Sequence, residues 1–343
     1  MISPTPPQAS ITGEIPIADG HEGQPSGSPR QRNWAWIIIG APALAFVVLV
    51  LLLRWRTLGS PLTIALVGLT PFLAVPLLFG AVSSWFSRSV TMRAAAGLIA
   101  AAFLFTTSPI DAVIGCGGRT ADDSITIYTA NVLFDVGRPA DVATSILAAD
   151  PDVILMQETS LSFMRELQAD PRMAEYQYRS EQIRGASLRT VIWSRLPILS
   201  LEMEPFDVSD LVNVTVASPY GEFVVTGLHT LAPIRQSYVP SWQRQFDQLA
   251  AIDTSTPRLI AGDFNATSDH KPFRTLLQSG WTDVHDEAGC GFDATWPVNG
   301  GLPIAVMRLD HVLMTDHFEV LDVQFGEPAG SDHKPVIASI RLR

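Results

Sequence analysis

The stretch from Leu259 to Asn265, LIAGDFN, ends an apolar run in a glycine, a carboxylate and an amide. Such a run reads as a buried strand that delivers polar groups to a sheet edge. On an extended chain Asp263 and Asn265 point to one side and can face one ligand atom, while Phe264 points into the core. Taken alone, the pattern is equally that of a strand running into a turn, since Gly, Asp and Asn are common turn formers. Further polar clusters end apolar runs in the same way: Asn131, Glu158 after Gln157, His229 at the end of FVVTGLH, and the region from Asp310 to His333.

These residue types suit phosphoryl chemistry. A carboxylate such as Glu158 at the end of an apolar strand is costly unless it is paired or bound to a cation. As a hard oxygen ligand it fits Mg²⁺, which keeps most of its waters and takes few carboxylates beside substrate phosphate oxygens. RLDHVLMT carries Asp310 and His311, and GSDHKPVIA carries Ser331, Asp332 and His333. An Asp orienting a His that activates water or stabilises a phosphoryl oxygen is a recurring pair. A lone His229 is more often structural, and its strand-end position is what raises its standing. Arg189 and Arg308 could meet a substrate phosphate, although an Arg on a surface strand is more often simply solvated.

The elements that must position these groups begin after residue 124. Alternating or apolar runs predict strands at 124–131, 152–158, 190–194, 211–217, 222–229, 309–314, 319–323 and 336–342, besides the LIAGDFN strand. Helices are expected at 139–149, where Pro139 sits in the first turn, and at 236–251 and 271–278. Hairpins mixed with helical crossovers point to an α/β fold of two packed mixed sheets flanked by helices.

Upstream the composition is different. Residues 1–33 are rich in Pro, Ser and Gly and read as a disordered tail. Residues 34–115 form a membrane domain with three transmembrane helices, at about 34–53, 61–82 and 92–112, joined by a linker at 116–123 to a catalytic domain at 124–343. Pro71 and Pro76 fall inside the second run, which a membrane helix tolerates because neighbouring helices re-satisfy the freed groups. With a cytoplasmic tail, Arg30, Arg32, Arg88 and Arg93 lie inside against Arg54 and Arg56 outside, so the large domain is expected to be extracytoplasmic.

Charge divides at the same boundary. Up to Arg119 the chain carries 7 basic and 4 acidic residues, and from Thr120 onward 16 basic face 30 acidic. An acidic domain repels a polyanion at long range, which makes nucleic acid the less favoured partner. The two cysteines, Cys116 and Cys290, lack metal-type spacing, and a disulfide between them is possible if the domain lies outside the cytoplasm.

The ordered set TANV, QET, GLHT, GDFN, RLDH and GSDHKP resembles the endonuclease/exonuclease/phosphatase superfamily over nearly all of 124–343. The resemblance implies a four-layered α/β sandwich and divalent-metal-dependent hydrolysis of a phosphoester, with Mg²⁺ or Mn²⁺ as cofactor. It makes Glu158 the principal metal ligand, with Asn131 beside it and Asp332 a metal-side carboxylate. Asp263 and Asn265 align the attacking water and hold a phosphate oxygen, and His229 contacts phosphate. Asp310 orients the catalytic His333. It leaves open whether Asp263 or the Asp310 and His333 pair is the general base. Thr295 and Trp296, in FDATWP, resemble the substrate-side loop, or are a surface turn with one buried aromatic.

Three spans before such a domain also resemble the membrane-bound members associated with teicoplanin-type glycopeptide resistance, which implies a lipid-linked cell-envelope substrate. The expected function is a membrane-anchored metal-dependent phosphoesterase. The alternatives are an extracytoplasmic nuclease on DNA or RNA, or a non-catalytic binding pseudoenzyme.

Overall fold

The computed structural model describes residues 36–86, 89–107, 118–119, 121–134, 136–180, 189–299 and 304–343. The expected tail at 1–33, together with Arg88 and Cys116, lies outside the described residues.

The apolar N-terminal part folds as helices α1 (Ala41–Arg54), α2 (Pro61–Gly68), α3 (Ala74–Trp85) and α4 (Val90–Thr107). Pro61 opens α2 behind Ser60, an extended N-cap whose hydroxyl accepts from the Thr63 N–H at 3.3 Å. The run expected as one helix over 61–82 is broken. Pro71 cannot donate to the Val67 carbonyl, and its ring crowds that oxygen. The Thr70 hydroxyl takes up the Val67 carbonyl instead, at 2.6 Å. The chain passes through a 3₁₀ turn, Thr70–Leu73, and the two halves meet at 69°. Among the described residues no single helix is long and apolar enough to cross a membrane, so three continuous spans are not found. By length and composition, the bent pair Pro61–Gly68 and Thr70–Trp85 passes only when taken together.

Downstream are β1 (Ile125–Asn131), α5 (Pro139–Ala149), β2 (Val153–Thr159), α6 (Leu161–Ala169), β3 (Tyr178–Arg179) and β4 (Arg189–Ser194). They are followed by β5 (Ile198–Phe206), β6 (Ser209–Ser218), β7 (Gly221–His229), α7 (Val239–Ala250), β8 (Arg258–Asp263) and α8 (Lys271–Gln278). The chain closes with β9 (Thr282–Asp283), α9 (Val284–Glu287), β10 (Asp310–Met314), β11 (Phe318–Phe325) and β12 (Val336–Leu342). One sheet runs β11-β12-β1-β2-β4-β3 and the other β5-β6-β7-β8-β10-β9. Within each sheet one pair is parallel, β1 with β2 and β7 with β8, and the remaining pairs are antiparallel. Both parallel pairs are joined by a helical crossover, α5 and α7 respectively.

Alternation decides which side chains the layers share. Ile125, Ile127, Leu155, Val225, Leu259, Ala261 and Val312 fill the space between the sheets. Ile154 and Met156 point outward beneath α5 and α6. Leu228 and Ile260 point outward beneath α7 and α8, into a cluster that also contains Leu44, Leu58 and Leu73 of the N-terminal region. The expected two packed mixed sheets flanked by helices are therefore observed. The sequence reading missed β5, an edge strand with mostly exposed residues, and α6, whose short amphipathic repeat follows a Ser160 cap.

Candidate active site

The parallel pairs aim their carboxyl ends at one place. Asn131 ends β1, Glu158 lies at the end of β2, His229 ends β7 and Asp263 ends β8. In register, His229 faces Asp263 across the β7–β8 ladder, and Asp310 faces Asp263 across the β8–β10 ladder. Gly262 is required beside them: it has a φ of +147°, and a Cβ there would lie 2.0 Å from the Leu228 carbonyl oxygen. Glu158 has a φ of 57° and Asn265 a φ of 46°, left-handed values that turn the strand ends toward the centre. For a glutamate this conformation is strained, and such strain persists where the surroundings over-determine it.

The side chains converge. Asn131 Nδ2 donates to Glu158 Oε1 at 2.9 Å and to Asp263 Oδ2 at 3.0 Å, while its Oδ1 accepts from the Leu133 N–H at 3.0 Å. His229 Nε2 lies 3.7 Å from Glu158 Oε1 and 3.6 Å from Asp263 Oδ2. The Asn265 N–H donates to Asp263 Oδ1 at 2.8 Å, and its Nδ2 donates to the Thr230 carbonyl at 3.0 Å. His333 Nδ1 donates to Asp310 Oδ2 at 2.8 Å, leaving Nε2 directed toward Asp263 Oδ2 at 3.8 Å and Asp332 Oδ1 at 3.9 Å. Trp296 Nε1 donates to Asp332 Oδ2 at 2.9 Å. Asn131, Glu158, His229, Asp263, Asn265, Trp296, Asp310, Asp332 and His333 thus meet in one cluster. Glu158, His229, Asp263, Asn265, Trp296, Asp332 and His333 line a cavity of about 620 Å³, and Asn131 and Asp310 stand behind them.

Negative charge dominates here. Burial by itself favours the neutral imidazole of His333, but the carboxylates of Asp310, Asp263 and Asp332 outweigh it and push the group up to about 10. His333 therefore carries a proton at neutral pH. Asp310 Oδ1 and Asp332 Oδ1 are buried without a hydrogen-bond partner among the described residues. Unpaired buried oxygens of this kind are costly, and a cation would satisfy them. The tightest grouping of ligating atoms is Asp263, Asp310 and His333, all within 4.8 Å of one another. The expected set of Glu158, Asn131 and Asp332 lies beside this group, and Asn131 turns its nitrogen toward the carboxylates of Glu158 and Asp263. Two members of the observed group are bonded to each other through His333 Nδ1, at 2.8 Å.

Neighbouring residues resolve the open alternatives. Thr295 is fully buried and its hydroxyl accepts from the N–H groups of Leu309 and Asp310, at 3.0 and 3.3 Å, so it buttresses the site, while Phe292 and Asp293 at the start of FDATWP are exposed. Arg308 is committed to Asp283 and Asp286, both at 2.7 Å, and stands apart from the cluster. The Arg189 side chain lies outside the described residues. His311 points away from its neighbour Asp310 and bonds Asp283 and the Ala266 carbonyl. Sequence reasoning missed Ser331 as a positioning group: its hydroxyl donates to the Asn131 carbonyl at 2.7 Å and accepts from the His333 N–H at 3.0 Å. The signal was present, since a serine two residues before a histidine commonly caps its N–H.

The profile of the Endonuclease/Exonuclease/phosphatase family matches residues 128–333. No curated protein matches the chain. Among solved structures, an endonuclease/exonuclease/phosphatase from Beutenbergia cavernae is similar with a TM-score of 0.52 at 19% identity, over 64% of this chain and 72% of that one. TDP2 from D. rerio, crystallised with a single strand DNA product, is similar with a TM-score of 0.50 at 18% identity, over 64% of this chain and 100% of that one. The 3′ phosphatase NExo from Neisseria, bound to a product DNA hairpin, is similar with a TM-score of 0.50 at 19% identity, over 62% of this chain and 98% of that one. At these identities the likeness establishes the fold.

Proposed function

The chain belongs to the Endonuclease/Exonuclease/phosphatase family, whose members hydrolyse phosphoesters, and from that premise we propose a membrane-anchored, divalent-metal-dependent phosphoesterase. Its substrate in this reading is a phosphate ester or pyrophosphate of a lipid-linked cell-envelope intermediate. The observation that carries the hydrolase assignment is the convergence of strand-end groups from both sheets on one acidic cavity with unpaired buried carboxylate oxygens.

A phosphate entering that cavity would meet Glu158, Asp263 and Asp332, so its approach needs a counter-charge. Glu158 and Asp332 are the residues we assign to hold Mg²⁺ or Mn²⁺, an oxygen-only set that suits a hard cation. Once bound, the cation would neutralise charge that develops on the phosphate oxygens. His333, already protonated and held by Asp310, is placed to donate from Nε2 to a phosphate oxygen. Asn265 uses one Nδ2 hydrogen on Thr230 and keeps a second for the substrate, and His229 adds a further donor. Because His333 holds its proton, Asp263 is left as the base that accepts a proton from the attacking water.

The membrane reading draws support from the surface of the N-terminal helices. Leu52, Leu78, Phe79, Leu98 and Phe105 are all exposed large apolar residues, a character that fits contact with lipid. Cys290 is disulfide-bonded, which supports an extracytoplasmic domain, since disulfides persist in oxidising compartments. Arg54 ion-pairs with Asp269 of the sandwich at 2.7 Å, in keeping with the assignment of Arg54 to the same side as that domain.

The test is full-length protein in liposomes with Mg²⁺, offered polyprenyl pyrophosphate, phospholipid and plasmid DNA in parallel. Fastest release of phosphate from polyprenyl pyrophosphate is expected. Faster cleavage of plasmid than of every lipid would replace the lipid reading by a nuclease. A reporter fused after Arg343 should read the extracytoplasmic side, and protection of the domain from protease on intact cells would reverse that orientation.

A further inference from the structure

The cavity that holds the catalytic side chains has a second wall from a distant part of the chain. Pro61, Leu62, Ile64 and Ala65 of α2 line it alongside Asp263, Asn265 and His333. The helix is fixed in that position. His270 Nε2 hydrogen-bonds the Ile64 carbonyl at 2.9 Å, and Gln243 Nε2 donates to the Leu58 carbonyl at 2.7 Å. At the far end of α2, a Cβ on Gly68 would lie 3.1 Å from Met307 Sδ and 3.3 Å from His270 Cε1, so the helix lies nearly against the sandwich.

The same cavity is lined by Leu231 and Ile234 from the segment after β7, and by Val208 from the turn between β5 and β6. Leu62, Val208 and Ile234 are 70%, 62% and 73% exposed. Single exposed aliphatics are ordinary, but three around one cavity form a patch, and this patch adjoins a carboxylate-rich centre. A soluble sugar or nucleotide phosphate has nothing to place against it. Past the 69° elbow after α2 the chain enters α3, where Leu78 and Phe79 are exposed.

We propose that α2 is a specificity element of the active site, receiving the hydrocarbon arm of an amphiphilic phosphate ester while its phosphate lies at His229, Asn265 and His333. The proposal rests on the lipid-phosphoesterase reading of the same cavity and adds to it the residues that receive the hydrocarbon arm. The elbow at Pro71 has a role in this scheme: it turns α2 across the mouth of the cavity instead of continuing the line of α3. An arm entering beside Leu62 and Ile234 would reach the phosphate centre without leaving an apolar surface.

The test separates binding from turnover. Full-length protein in nanodiscs is titrated with farnesyl phosphonate and with methylphosphonate, neither of which is hydrolysed at the phosphorus–carbon bond, against protein-free nanodiscs as the blank. Wild type should bind the farnesyl compound at least tenfold more tightly. Leu62→Asp and Ile234→Asp, both at exposed positions where folding is not at stake, should each remove most of that preference, and Leu199→Asp on the β5 edge should keep it. Equal affinity for the two phosphonates, or a preference that survives in both cavity variants, overturns the proposal. Hydrolysis of farnesyl pyrophosphate is read on the same samples. Chain-dependent binding without turnover upholds the apolar wall and refutes the hydrolase reading, whereas turnover with chain-independent binding does the reverse.

Discussion

The two walls of the cavity are built on opposite principles. The polar wall is assembled from the ends of β1, β2, β7, β8 and β10, where ladder register fixes Asn131, His229, Asp263 and Asp310, and Glu158 sits in an irregularity at the end of β2, bonded to Asn131. The apolar wall comes largely from α2 and the segment after β7, whose placement depends on side-chain docking such as His270 to Ile64 and Arg54 to Asp269. Ladder register leaves a side chain little freedom, as catalytic groups require. A docked helix can vary its side chains without disturbing the chemistry, as selectivity requires. On the proposed reading, the difference teaches that reaction and substrate choice are held by separate parts of this molecule.

The largest expected effect falls on the polar wall. Glu158→Ala and His333→Ala should each lower turnover on any phosphoester by about 100-fold or more, as loss of a charge-stabilising group does. The melting temperature of Glu158→Ala should stay close to wild type, because its side chain belongs to none of the apolar clusters, whereas His333→Ala should melt lower, because it leaves the buried Asp310 carboxylate without its 2.8 Å partner. EDTA should silence the enzyme, and Mg²⁺ or Mn²⁺ should restore it. Near-normal turnover in either variant, or in chelator, would break the division at its strong side.

A smaller and more specific effect concerns proton linkage. With its value raised to about 10, His333 donates fully at neutral pH, and activity that depends on the proton should fall as pH rises through that value. Stability has the same sign: the contribution is complete below the unfolded value of about 6.5 and is lost as pH rises toward the folded value. Asp310→Asn removes the nearest carboxylate, so the basic limb of the pH–rate profile should move to lower pH. An unmoved limb would assign it to another group.

The smallest effect on chemistry is expected at the docked wall. Arg54→Met leaves Asp269 buried without its 2.7 Å partner, and breaking a buried pair costs on the order of 3 to 5 kcal/mol. Thermal melting in detergent should drop accordingly, while turnover of a small soluble phosphate ester in the surviving folded fraction should change by less than about tenfold, below the roughly 100-fold expected of a catalytic group. A loss as large as that of Glu158→Ala would show that the two walls are not separable.

Much of the site was legible in the sequence because it lies at strand ends. An apolar run that stops at Asn131, Glu158, His229 or Asp263 marks both the strand and the group it presents, and period-two alternation assigns Phe264 to the core, where it is fully buried. β5 was not legible, since an exposed edge strand such as ILSLEMEPF has no buried face to impose alternation. The continuous second span was overread, because hydropathy sums composition and does not register the backbone acceptor that Pro71 leaves unpaired.

By itself the sequence determined which residues end strands, which groups can carry charge, and that the two halves of the chain differ in polarity. These are local properties, set by side-chain type and spacing. Only the tertiary structure decided that Asp310 faces the site while His311 and Arg308 turn to Asp283. It alone brought α2 to the catalytic cavity. The reason is physical: alternation says that adjacent residues face opposite ways, but which way is the site depends on the sheet or helix packed against each face. That packing is a contact between segments hundreds of residues apart, such as Arg54 and Asp269, whose sequence separation is 215.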